Sequence, residues 1–190
     1  QIKELQQNLN RGYKTKIVVQ YMITLSEVEK TIKGFAQLGL TIEAAHWLVK
    51  IYELEQENFS HFELTEKAEP SFILFTTNGV IGNKQVIKLP ANAFEFPLFL
   101  MLNLLAHEML HVKQKSEKYK VEDKNEREFQ AYYENLFHKE FPLIPELSSF
   151  HKKAFGNKAL EYYNRMEEGS DLQKKYAEQK EEVEQLIGEL

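Results

Sequence analysis

Residues 98–112 are the segment that most restricts how this chain can fold. Eleven of these fifteen positions are apolar: Leu98, Phe99, Leu100, Met101, Leu102, Leu104, Leu105, Ala106, Met109, Leu110 and Val112. A helix that is apolar on nearly every side belongs in a core. The longest apolar run, residues 94–105, is broken by Glu95, Pro97 and Asn103 and is too short to span a bilayer. Pro97 suits the first turn of a helix, where its missing N–H costs nothing, and the helix is expected to continue to about Lys115. Yet this helix carries His107, Glu108 and His111 through its apolar interior. Burying three such groups is costly unless each has a partner.

Their spacing suggests what that partner is. Positions i and i+4 lie on one helical face, so His107 and His111 can aim both imidazoles at one point. Glu108 is rotated by about 100° around the axis. From there its carboxylate can reach a water held at that point without being a ligand itself. The pattern is that of two metal ligands and a general base. The alternative is a pair of core histidines hydrogen-bonded to backbone or carboxylates. The chain has no cysteine, so any metal must rest on histidine and carboxylate. A net charge of -5 argues against a nucleic-acid binder, which needs a concentrated basic face.

Around this helix the chain reads as α+β, one domain over residues 1–190. Residues 1–92 would hold helices and a small sheet, residues 93–140 the motif helix and its successor, and residues 141–190 a helical C-terminal part. The run "KIVVQYMI", residues 16–23, is a helix end or a short strand. Ser26 and Glu29 have capping-box spacing, predicting a helix over 27–38 that Gly39 ends. Thr41 is placed to cap a second helix over 42–56. "HFELTEK", "SFILFTT" and "KQVIKL", with the Asn78-Gly79 turn signal, predict a small, mostly antiparallel sheet between about 60 and 90. Further helices are expected over 122–139, 147–155 and 157–167. A terminal one should run from Ser170-Asp171 to about Gly188.

His107-Glu108-Met109-Leu110-His111 resembles the defining motif of the zincin metallopeptidases. The likeness covers about residues 70–135 and implies a sheet before the motif helix, with an edge strand that holds substrate. Residues 84–89, "KQVIKL", are the candidate for that strand, or else an ordinary core strand. No His-x-x-Gly-x-x-His continuation follows His111, so the metzincin pattern is absent. A glutamate on the next helix is the remaining common third ligand. Glu128 shares a face with residues expected to be buried, and Ala131 would let two helices approach closely. Glu128 to Ala131 resembles the gluzincin Glu-x-x-Ala signature. Glu126 is the first rival, although it lies about 200° from Glu128 and is expected to face solvent. Glu134 lacks a small residue in the matching place. Where that family often continues with aspartate this chain has Tyr132, so another residue must orient a histidine. Tyr132, Tyr133, Tyr119 and His138 are available as oxyanion donors, and Asn103 can line the histidine face. His46, His61 and His151 carry no ligand spacing.

The resemblance implies a zinc-dependent peptidase of gluzincin type, with Zn2+ on His107, His111 and Glu128, Glu108 as general base, and a peptide or protein as substrate. A zincin-like scaffold that binds metal or a partner without hydrolysis is the alternative. The chain begins at Gln1, not Met, which leaves its natural start and its compartment open.

Overall fold

The computed structural model describes residues 23–190. The run at residues 16–23 therefore lies almost wholly outside the described residues. Two helices, α1 (Leu25–Gln37) and α2 (Thr41–Ile51), precede three strands, β1 (Phe59–Thr65), β2 (Thr76–Asn78) and β3 (Gln85–Pro90). A single 3-10 turn, Ala93–Glu95, leads into α3 (Leu98–Gln114). Four helices follow: α4 (Lys124–Phe137), α5 (Ser149–Arg165), α6 (Asp171–Lys175) and α7 (Ala177–Gly188). The described residues form a mixed, mostly helical α+β structure, and none of their helices is long and apolar enough to cross a membrane.

Local chemistry explains most of the element ends. The capping box on α1 uses Thr24 and Glu27 and not Ser26 and Glu29. Glu27 N donates to Thr24 Oγ1, and Thr24 N donates to the Glu27 carboxylate. Starting there turns Val28 and Ile32 into the core. Thr41 caps nothing; its hydroxyl donates to Ala91 O at 2.6 Å and ties α2 to the end of the sheet. Helix α2 stops at Ile51, short of the expected 56, because the chain turns left-handed at Glu53 so that Leu54 can bury completely. Pro97 stands at the N-cap position of α3, one residue before the first turn expected for it, and makes no side-chain cap bond.

The sheet differs from its expected form. Strand order is β1-β3-β2; β3 runs antiparallel to β2 but parallel to β1. It is thus mixed, not mostly antiparallel. The Asn78-Gly79 signal marks the β2–β3 connection correctly. The segment before β2, however, carries the chain past the place that β3 then fills, leaving β2 at the edge. Most of residues 71–75, read as strand, pair with nothing.

Apolar burial divides the described residues into two cores. One gathers α1, α2, the sheet and α3; the other lies among α4, α5 and α7, around Phe129, Ala159 and Val183. Helix α5 is one rod through Gly156, not the two expected pieces. A Cβ on Gly156 would stand 2.7 Å from Ile187, so glycine there lets α7 lie close against α5. The terminal helix, in turn, is two helices broken at Tyr176. Helix α4 packs on both α3 and α5, and Ala131, fully buried, sits in the first core. The seam between the cores is where the polar residues of α3 emerge.

Candidate metal centre

Helix α3 presents His107 and His111 one turn apart, with ring centroids 4.7 Å apart and planes at 88°. Glu128, from α4, reaches both: its Oε2 is 3.6 Å from His107 Nε2 and 3.5 Å from His111 Nε2. Two atoms each about 2.0–2.1 Å from one ion at a tetrahedral angle stand about 3.3–3.4 Å apart, so the observed separations need almost no adjustment. The three side chains form a group that can hold a metal ion.

The outer nitrogens of the two rings settle their orientation. His107 Nδ1 lies 2.9 Å from Asn135 Oδ1, and His111 Nδ1 lies 2.8 Å from Gln114 Oε1. Neither amide can be turned round without loss. Asn135 Nδ2 donates to Asn103 O at 2.7 Å, and Gln114 Nε2 donates to Arg127 O and to Gln130 Oε1. With an amide oxygen facing it, each Nδ1 carries a proton, which leaves each Nε2 directed at Glu128 and free of any other partner in the hydrogen bonds described. Amides thus take the place of the aspartate whose absence was noted after Ala131.

These contacts extend into two chains of hydrogen bonds. From His107 the path runs through Asn135 to Asn103, whose Oδ1 meets His138 Nε2 at 2.9 Å. From His111 it runs through Gln114 and Gln130 to the Tyr176 hydroxyl. That hydroxyl donates to Glu126 at 2.6 Å, and Lys175 donates to the same carboxylate. Glu126 is therefore buried and bound to the C-terminal helices, a correction to its expected solvent exposure, and it takes no part in the group. Glu134 is buried too, accepting the backbone N–H groups of Glu140 and Phe141.

Electrostatics follow the geometry. Burial disfavours charge on Glu128, yet its contacts with His107 and His111 outweigh it and hold the carboxyl well below the usual range. Burial likewise opposes protonation of His107, but Glu128, Glu108 and Asn135 together raise its pKa. A cation held at this point would compete with the proton that these contacts favour on His107.

Glu108 points to the same cleft but stays outside the group. Its Oε2 accepts from Thr77 Oγ1 at 2.7 Å, so β2 holds the carboxylate in place. The cleft measures about 600 Å³ and is bordered on one side by residues 72–77 and on the other by α4 and α5. The expected substrate strand is thereby corrected: of residues 84–89 all but Lys84 lie in β3, the middle strand, and the free edge beside the histidines belongs to β2.

Of the four oxyanion candidates only Tyr132 borders the cleft, its ring 4.7 Å from that of His107. Burial first, and then the nearby Glu128 charge, push its pKa up and keep the phenol protonated. Tyr133 donates to Glu182, Tyr119 lies elsewhere under Lys113, and His138 is committed to Asn103. Asn103 supports Asn135 from behind the histidines and does not face the cleft. His46 packs edge-on against Phe62, His61 pairs with Glu63, and His151 meets Ser148.

Sequence reasoning missed Gln114, Asn135 and Thr77. Gln114 is three residues after His111, and Asn135 lies two turns after Glu128, so helical spacing could have nominated both. Thr77 had no such signal, because only the tertiary fold brings β2 to α3. In comparisons with known proteins, the chain matches no family model, no curated relative and no solved structure.

Proposed function

We propose that this protein is a zincin-like, zinc-dependent peptidase of gluzincin type, with His107, His111 and Glu128 as ligands and Glu108 as general base. One observation carries the reading: a carboxylate from a second helix meets both Nε2 atoms at ligand spacing, while both Nδ1 atoms are anchored elsewhere. Two neutral imidazoles and one carboxylate, without sulfur, suit zinc. A zinc ion on these three side chains would supply Lewis acidity and lower the pKa of a water from 15.7 towards about 7.

The chain's own residues supply the rest. Glu108, fixed through Oε2 by Thr77, receives the proton of the attacking water and passes it to the departing amine. Tyr132, kept protonated by burial, is the available donor to the developing oxyanion. The free edge of β2 and the unpaired residues before it offer a bed for an extended substrate.

A scaffold that binds metal without hydrolysis is favoured by a different observation. Both histidines lean on neutral amides, not carboxylates, and an amide polarises a ligating ring less than a carboxylate does, so a metal would be held less strongly. The two readings separate in one experiment. Zinc content and cleavage of a mixed peptide pool are measured for the wild type and for Glu108→Gln. The peptidase reading expects stoichiometric zinc in both proteins and cleavage in the wild type alone. Zinc in both with cleavage in neither would establish the scaffold, and cleavage retained in the variant would overturn the mechanism.

A further inference from the structure

The chain carries a net charge of -5, yet the cleft beside His107 has four cationic side chains on its lining: Lys115, Lys124, Arg127 and Lys158. Its two carboxylates are already committed, Glu128 to the imidazoles and Glu108 to Thr77. The charge left facing the cleft is positive, and a bound dication would increase it.

The four cations are not equivalent. Lys115 donates to Thr77 O at 3.0 Å, fastening β2 to the end of α3, and belongs to the framework. Arg127 uses one guanidinium nitrogen on the Val121 and Glu122 carbonyls, which fixes its position at the start of α4. Lys124, one turn earlier, is exposed and makes no ion pair among the described residues. Lys158 pairs with Glu161, but its side chain is 52% exposed, and such a surface pair is weak enough to exchange for another anion. Three cations thus stand along the wall formed by α4 and α5.

The opposite wall is apolar. Phe72 and Leu74 are 66% and 56% exposed, whereas Phe75 is buried in the first core. Their alternation is that of extended chain, and they pair with no strand. A ligand lying between these walls meets apolar side chains on one flank and fixed positive charge on the other.

We propose that the cleft selects an extended peptide segment carrying acidic side chains, with apolar residues toward Phe72 and Leu74 and carboxylates toward Lys124, Arg127 and Lys158. This specificity rests on the peptidase reading for its consequence, cleavage, but not for binding. Charge complementarity of this kind acts mainly on encounter and on the choice between partners.

The test uses the full chain loaded with zinc and three fluorescently labelled peptides of one apolar framework, with aspartates, serines or lysines at the variable positions. Cleavage is followed as kcat/KM, and binding is followed by anisotropy on the Glu108→Gln protein. The acidic peptide is expected to exceed the lysine peptide by about tenfold in both measurements at low salt. That ratio should fall towards one at high ionic strength, a result obtained on the unmutated wall. Lys124→Glu combined with Lys158→Glu should invert the order. Charge-selective binding without any cleavage would sink the peptidase reading and leave the acidic-peptide site standing. Cleavage indifferent to peptide charge, or tighter binding of a single-stranded oligonucleotide than of the acidic peptide, would overturn the inference itself.

Discussion

Asn135 Oδ1 stands 2.9 Å from His107 Nδ1, and the same amide donates to Asn103 O at 2.7 Å. One buried side chain of α4 therefore sets both the tautomer and the angle of a ring on α3. Replacing Asn135 with Leu removes that support while keeping a similar volume. Zinc affinity, measured by competition with a chelator, is expected to fall about 10–100-fold. Gln114→Leu should do the same through His111, since its amide plays the matching part.

Glu128 and Glu126 are two residues apart on one helix, but only Glu128 meets the imidazoles. Zinc at a hundredfold excess over its Kd should stabilise the wild type by about 2.7 kcal/mol in thermal or urea unfolding. Glu128→Gln is expected to lose most of that gain. Glu126→Gln should keep it, while lowering baseline stability through the lost pairing with Lys175 and the altered bond to Tyr176. Equal loss of zinc in both variants would contradict the ligand assignment.

His138 closes α4 in the left-handed conformation, at φ 44°, and its ring is bound to Asn103. Burial pushes its pKa down, with Glu146 opposing and Lys152 adding to the effect. A histidine held neutral in the folded state contributes stability that is complete above its unfolded value of about 6.5 and is lost as pH falls through the folded value. The difference in stability between the wild type and His138→Asn, a residue that tolerates positive φ, should therefore shrink below about pH 6.5. A difference constant from pH 8 to pH 5 would show that His138 does not titrate this way.

Gly156 touches α7 where any side chain would collide with Ile187. Gly156→Val is expected to destabilise the protein by about 1–3 kcal/mol through overpacking. Ile187→Ala in the same chain should recover part of the loss, a non-additivity read directly from a double-mutant cycle.

Much of this site was legible before any tertiary information. The His107–His111 spacing and the buried character of their helix follow from sequence alone, as does the nomination of Glu128 by its place beside Ala131. The errors share a cause. Glu126 was assigned to solvent because helical rotation describes one helix, whereas the burial of Glu126 comes from Tyr176 and Lys175, some fifty residues away. Residues 84–89 are the candidate edge strand only by the zincin resemblance, with a core strand as the alternative; the path of the chain before β2 decides for the core strand by placing β2 outside β3.

By itself the sequence determined what one rigid element can do: fixed helical pitch puts His107 and His111 on a common face, with Glu108 turned aside from it. The packing of α4 against α3 decided the rest. It brought Glu128 rather than its neighbours to the imidazoles, supplied Asn135 as the anchor for His107, and joined the two cores at the seam where these side chains meet. Such convergence depends on how several rigid elements fill a volume together, and no single stretch of chain encodes that distance.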